Sequence, residues 1–280
     1  MKSLEIRNLT KSFGDFTLEN INLTLPGGSV MGLVGENGAG KSTTIKLILG
    51  MLEKDGGSIT ILGKDNGDNI QMTKEDVGVV MDEVGIPECL TATQVGKIMR
   101  YTYKNWEIDT YMSYLKKLSV PENKPFGNFS KGMKMKLAIA VAMSHGARLL
   151  ILDEATSGLD PVVRDEFTDM LCEFTRDENN SVLISSHIVS DLEKLCDYIA
   201  FMHKGKLLLC EEKDALLSKY GIIHCSVQSL SEIPAHLVRY KRETAFGAMA
   251  VVLRDADFGS LAVSPVSIEE LFVCMVKEEL

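Results

Sequence analysis

The run from Val30 to Thr44, Val-Met-Gly-Leu-Val-Gly-Glu-Asn-Gly-Ala-Gly-Lys-Ser-Thr-Thr, constrains the chain more than any other stretch. An apolar segment of strand length ends at Gly35, four residues intervene, and Gly40-Lys41-Ser42 opens a segment with helical spacing. Strand, glycine-rich turn and helix N-terminus in this order form a phosphate-gripping loop. Gly35, Gly38 and Gly40 let the backbone turn tightly and present a row of N–H groups, with Glu36, Asn37 and Ala39 filling the turn. The helix that begins at Lys41, Ser42 and Thr43 adds unpaired N–H donors and the positive end of its dipole. Lys41 supplies an ammonium for the outer phosphates, and the Ser42 hydroxyl suits the shell of a Mg²⁺ ion.

A second anchor lies further along. Leu149-Leu150-Ile151-Leu152 is a continuous apolar run, the mark of a parallel strand covered on both faces, and it ends in Asp153-Glu154. Ligands of α/β proteins bind at the carboxyl edge of the sheet, where this run delivers two carboxylates. Asp153 suits the Mg²⁺ shell, and Glu154 can orient or deprotonate an attacking water. Standing alone, the same pair could be a surface cap of the next element; behind a phosphate loop the chemical reading is the better one.

Between and beyond these anchors, strand-like and helix-like patterns alternate. Leu4–Thr10 and Phe16–Leu25 alternate apolar and polar residues, and Ser58–Leu62, Val77–Met81, Val182–Ile184 and Tyr198–Met202 are short strand-like runs. Thr91–Val120 has helical spacing until Pro121 and Pro125 break it, and helices are predicted over about Lys131–Met143 and Val189–Leu195. Asp160-Pro161 supplies an N-cap and a first-turn proline for a helix through Phe174. Such alternation predicts an α/β fold with a largely parallel sheet. After about Tyr220 the texture changes: Ile223–Val227 and Met249–Leu253 read as strands, and Ser267-Ile268-Glu269-Glu270 is a capping box before a terminal helix. Ile268, Leu271, Phe272, Met275 and Val276 fall on one face of that helix. The expected organisation is one domain over 1–220, with a helical subdomain at about 85–145, and an accessory domain over 221–280.

Composition narrows the partners. With 30 Lys+Arg against 39 Asp+Glu the net charge is −9, and no basic block marks a nucleic-acid surface, so none is expected as a partner. Lys2, Glu5, Arg7 and Lys11 interrupt the N-terminus, which therefore does not read as a secretion signal. No apolar run approaches the ~20 residues a membrane helix needs. The six cysteines lack metal-ligand spacing, which suits small buried side chains in a reducing compartment.

Further motifs make a resemblance specific. Phe129-Ser130-Lys131-Gly132-Met133 resembles the Leu-Ser-Gly-Gly-Gln signature of ATP-binding-cassette (ABC) transporter nucleotide-binding subunits, Ser157-Gly158-Leu159-Asp160 their D-loop, and His187 after Ser185-Ser186 their switch histidine. Phe13 stands where the family stacks an aromatic on adenine. The resemblance covers residues 4–210 and implies a P-loop NTPase fold: a RecA-like parallel or mixed sheet core with antiparallel elements, a helical insert and a small α+β extension. It implies ATP and Mg²⁺ as cofactors, with Lys41, Glu154 and His187 catalytic, and Ser42, Asp153 and Asp82 facing the metal. Phe13, the loop residues Gly35–Thr43, Ser130, Gly132 and Asp160 would bind nucleotide, the last three on ATP held by a second cassette subunit.

That partner would be a second copy of the chain, or a different cassette in a heterodimer, and both would dock on a separate integral membrane permease from the cytoplasmic face. Ser267-Ile268-Glu269-Glu270-Leu271-Phe272 is similar to a stretch in export-type cassettes and tilts the direction towards export. The competing reading is a soluble cassette ATPase that serves as a regulatory switch, although the charged linkers, second cassettes and coiled coils of such relatives are absent. The chain departs from the family in two motifs: Asp82, followed by Glu83, replaces the glutamine that contacts Mg²⁺ and the permease, and Lys131 and Met133 replace the signature's first Gly and its Gln. An acidic oxygen at 82 can face Mg²⁺ but cannot donate like an amide, and Lys131 adds positive charge near a γ-phosphate.

Overall fold

The computed structural model describes residues 2–67, 74–244, 247–259 and 261–278. A hairpin opens the chain, with β1 (Lys2–Phe13) antiparallel to β2 (Phe16–Pro26) and Phe13 opposite Phe16 beside the turn. β3 (Val30–Gly35) runs into α1 (Lys41–Ile48), after which β4 (Gly56–Ile61) and β5 (Lys64–Asp65) return to the hairpin. These give a four-stranded antiparallel sheet in the order β2-β1-β4-β5. β6 (Val77–Val80) precedes a helical insert of α2 (Ala92–Thr102), α3 (Ile108–Lys117) and α4 (Lys131–Ala142). β7 (Leu149–Asp153), α5 (Pro161–Phe174), β8 (Ser181–Ser186), α6 (Val189–Leu195), β9 (Tyr198–His203) and β10 (Lys206–Glu212) then complete the centre. The central sheet has the order β10-β9-β3-β8-β7-β6 and is parallel except for the β9–β10 pair.

Every residue of β3, β7 and β8 is buried, as the continuous apolar runs require. The period of two sorts their side chains between two cores. Leu150, Leu152, Val182 and Ile184 face the helices, whereas Leu149, Ile151 and Leu183 face α1 and the antiparallel sheet. Sandwiching the sheet fixes its register, and with it the positions of the strand ends that carry the acidic residues.

The long helical pattern of 91–120 is two helices. Tyr103 leaves the helix with extended backbone and stacks on His145 at 4.0 Å, and Trp106 fills the corner against Tyr111 at 5.0 Å. Aromatic burial therefore wins over helix continuation at this corner. Gly96 is the close approach that permits it, because a Cβ there would lie 2.6 Å from the Tyr111 ring. Tyr111 is wholly buried and its hydroxyl donates to the Ala92 carbonyl at 2.8 Å.

Beyond the centre come α7 (Lys213–Lys219), β11 (Tyr220–Cys225), α8 (Val227–Glu232), β12 (Val238–Thr244), β13 (Gly247–Leu253), β14 (Val263–Pro265) and α9 (Ile268–Glu278). The four strands form an antiparallel sheet in the order β12-β13-β11-β14. The predicted strand over Ile223–Val227 ends earlier, because Ser226 accepts from the Ser229 N–H and caps α8, which begins at Val227. The Ser267–Glu270 capping box forms as expected, with Ser267 N–H to Glu270 at 2.9 Å and Glu270 N–H to Ser267 at 3.2 Å. Ile268, Leu271 and Cys274 are buried, and Phe272 meets Phe201 of β9 edge-on at 5.3 Å, so the tail shares the main core. Among the described residues no helix is long and apolar enough to cross a membrane.

Candidate active site

The phosphate loop is pinned from three sides. Gly40 adopts φ +107° and Gly38 φ +84°, a region that L side chains rarely enter. A Cβ at Gly40 would also meet Leu18 at 2.6 Å, and one at Gly35 would meet the Met202 carbonyl at 2.7 Å. The hairpin and β9 thus press the loop into shape, and the Gly205 N–H to Ala39 carbonyl bond of 3.0 Å fastens its middle. Below it His203, 2% exposed, brings Nδ1 to 2.9 Å from the Glu36 carboxylate.

Lys41 is buried, and its ammonium donates to the carbonyls of Gly35 at 2.7 Å and Glu36 at 3.2 Å while lying 3.5 Å from Glu154. Ser42 Oγ donates to Asp153 Oδ1 at 3.1 Å, and Ser185 Oγ donates to the same oxygen at 2.7 Å. Glu154 has φ +53°, a conformation costing about 1–2 kcal/mol for a residue with a side chain. It is held there because its N–H donates to Ser185 Oγ at 3.0 Å. The resulting turn aims the carboxylate at Lys41 and at His187, whose Nδ1 lies 2.6 Å from Glu154 Oε2. The ends of β7 and β8, together with the start of α1, therefore gather Lys41, Ser42, Asp153, Glu154 and His187 into one hydrogen-bonded cluster.

A cleft of about 500 Å³ opens beside that cluster, lined among others by Asn37, Thr43, Asp82 and Phe16. Phe16 escaped the sequence reading, although its ring bears on Gly40. Phe13 lies opposite it at the hairpin end, 43% exposed, with the Lys11 ammonium 5.5 Å from its ring centre. For a Mg²⁺ ion the donors fit: Ser42 and Asp153 offer hard oxygens at hydrogen-bond separation, and Mg²⁺ takes one or two carboxylates beside phosphates and water. Among the described residues no group of three or more His, Cys, Asp or Glu side chains is arranged to hold a metal ion by itself.

Ser130, Gly132 and Asp160 form a second group. Ser130 is exposed and caps α4 by accepting from the Met133 N–H at 3.3 Å. A Cβ on Gly132 would come 2.7 Å from the Gly158 carbonyl, so the start of α4 lies directly on the D-loop-like turn. Asp160 Oδ1 caps α5 through the Val163 N–H at 3.1 Å, as its spacing predicts. Arg164, unforeseen in the sequence, reaches the Leu159 carbonyl at 3.3 Å and Asp191 of α6 at 3.4 Å, tying this turn to the segment that carries His187. Asp82 joins the two groups: it lines the phosphate cleft and pairs with Lys131 at 2.8 Å.

A strand–loop–helix phosphate grip, a partly buried serine–aspartate pair for a divalent cation and a glutamate–histidine pair beside them define a P-loop nucleoside-triphosphatase. Comparison with known proteins makes the class narrower. Residues 18–157 match the ABC transporter family model. The lantibiotic transport ATP-binding protein SrtF of Streptococcus pyogenes is 36% identical over 214 residues, covering 75% of this chain and 91% of the relative. The bacitracin transport ATP-binding protein BcrA of Bacillus licheniformis is 35% identical over 210 residues, covering 73% of this chain and 68% of the relative. Among solved structures, an ATP-binding subunit of an ABC transporter superposes with a TM-score of 0.70 at 27% identity, over 76% of this chain and 91% of that one. A dimeric cassette bound to ADP and Pi after hydrolysis shares the fold, with a TM-score of 0.68 at 20% identity over 75% of this chain and 98% of that one. The chain belongs to the ABC transporter family, and it is an ATP-binding, ATP-hydrolysing subunit.

Proposed function

We propose that two copies of the chain close on two ATP molecules and drive export through a separate membrane permease, working from the cytoplasmic face. The observation that carries this reading is the division of the site. Lys41, Asp153 and Glu154 form a finished phosphate and hydrolysis cluster, whereas Ser130 presents an exposed helix start that a phosphate brought by a second molecule can reach.

In this mechanism Lys41 exchanges its carbonyl contacts for the β- and γ-phosphates of ATP, and Ser42 with Asp153 would hold Mg²⁺, which supplies charge neutralisation for the phosphates. Glu154, freed from Lys41, orients the attacking water and accepts its proton. His187 lies 2.6 Å from the Glu154 carboxylate and can exchange that contact for a hydrogen bond donated to the γ-phosphate. Phe13 supplies a face for the adenine. Ser130, Gly132 and Asp160 of the second copy close over the terminal phosphate.

An apolar groove of about 420 Å³, lined by Met51, Val79 and Tyr103 among others, supports a docking place for the permease on the insert side. Beside it on α2, Tyr101 is 92% exposed and Ile98 45% exposed, which is unusual for large apolar side chains and suits a covered surface. The names of the relatives, which transport lantibiotics and bacitracin, favour peptide antibiotics leaving the cell as the cargo class.

The test is Glu154→Gln. Turnover should fall by about 10²–10⁴-fold while ATP binding persists, and size-exclusion chromatography with ATP should show a trapped dimer. A variant that stays monomeric in ATP and turns over at the wild-type rate would overturn the assignment.

A further inference from the structure

The two departures from the family pattern meet in space. Asp82 Oδ1 and Lys131 Nζ lie 2.8 Å apart, with 49% and 57% of their side chains exposed. An exposed ion pair usually adds little to stability, so its existence alone says little. Three features set this pair apart. The stem of Lys131 is laid along Gly158, where a Cβ would lie 3.5 Å from it, and Gly158 has φ +85°, so the ammonium is steered by the D-loop-like turn. The carboxylate of Asp82 is shared by three adjoining clefts: one with Lys41 and Glu154, one with Ser42 and Asp153, and one with Phe129 and Lys131. The exchange is also balanced in charge, a neutral glutamine and glycine in the family against one negative and one positive residue here.

The balance has a physical reason. An extra carboxylate beside a cleft that takes triphosphate repels the ligand. A cation within hydrogen-bond reach removes most of that repulsion. Conversely, an unpaired lysine at the first turn of α4 is a flexible cation with rotamer entropy to lose on binding a phosphate. Asp82 has already drawn it to one place. We propose that Asp82 and Lys131 are a matched functional pair: Asp82 is a positioning residue that holds the Lys131 ammonium at the edge of the signature, ready for the terminal phosphate of ATP bound to a second copy. The inference rests on the two-copy reading above.

The experiment is a double-mutant cycle on the full chain, reading kcat and KM for ATP separately. Asp82→Gln and Lys131→Gly should each raise KM about fivefold, the size expected for coupled neighbours, with a smaller change in kcat. Lys131→Gln repeats the second arm without placing glycine in a helix. The double variant Asp82→Gln/Lys131→Gly, which restores the family residues at these two positions, should recover most of the lost affinity. The charge-reversed double variant, Asp82→Lys/Lys131→Asp, keeps an ion pair but turns the wrong charge towards the phosphate, and should stay impaired. Additive losses in the neutral double variant, or rescue by charge reversal, would overturn the proposal, the second by showing a merely structural bridge. Wild-type turnover with an ATP-trapped Glu154→Gln dimer is the control. If that control fails, the two-copy reading falls; if it holds and the cycle is additive, only the pair falls.

Discussion

The phosphate cluster and the signature cluster belong to one chain but follow opposite rules. Lys41 and Asp153 are 5% and 2% exposed; Asp153 ends a strand clamped between two cores, and Lys41 opens the helix that follows another. Each makes its contacts within the chain. Ser130 and Lys131 stand in solvent at the first turn of a helix on an insert, with the turn around Gly158 lying against them. A buried cluster is costly to rearrange and therefore good at chemistry that needs fixed geometry. An exposed helix start has its donors satisfied by water, which a phosphate can displace at little cost. On the two-copy reading, folding sets the reacting groups and association sets the closing contacts.

Breaking the buried side should have the largest effect. Lys41→Ala removes the ammonium of the phosphate cluster, and turnover should drop by about 10²–10³-fold or more, with ATP affinity lost in a fluorescent-nucleotide titration. Retained ATP affinity would mean that the backbone loop alone carries binding. Disturbing the exposed side should separate the steps. Gly132→Ala places a methyl group 2.7 Å from the Gly158 carbonyl, so the start of α4 must shift. ATP should still bind one chain normally, while ATP-driven dimerisation weakens and kcat falls by about 10–100-fold, the range a displacement near 1 Å can produce. Equal loss of binding and turnover would erase the distinction between the clusters.

The same contrast decides what was legible in the sequence. The phosphate loop, the strand ending in Asp153-Glu154 and the caps at Ser130 and Asp160 are local: residues a few positions apart dictate a turn or a helix start, and the structure forms each of them. His187 against Glu154, 33 residues away, was accessible only through resemblance, since nothing in either stretch announces the other. Side-chain partnerships across elements were not legible. The pairs Asp82–Lys131 and Glu36–His203 depend on how the insert and β9 are carried to the loop, which the central sheet determines. That Phe16 lines the cleft beside Gly40 depends on how the hairpin is carried over the phosphate loop. In the tail, β14 has only three residues and β12 is a charged edge strand, Val-Arg-Tyr-Lys-Arg-Glu-Thr, so neither carries the apolar alternation that reveals a half-buried strand.

The smallest expected effect tests the joint between the two regions. His145 is wholly buried where the insert meets the central sheet: Nδ1 lies 3.3 Å from the Val141 carbonyl at the end of α4, Nε2 lies 3.3 Å from the Val77 carbonyl of β6, and Tyr103 stacks on the ring. Burial holds its pKa below the ordinary value of 6.5, against the opposing pull of the two carbonyls and of Glu75 and Asp76. The unfolded chain therefore takes up a proton at this residue at higher pH than the folded chain does. Stability from the neutral ring is fully present above pH ~6.5 and declines as pH falls from there through the lower folded value. Wild-type protein should accordingly lose thermal stability between pH 7.5 and 5.5 more steeply than His145→Gln, whatever their difference at pH 7.5. In domains of roughly 150–250 residues a loss of 1 kcal/mol moves Tm by about 2–4 °C, so the two slopes are separable by calorimetry. Parallel slopes would show that the joint does not titrate.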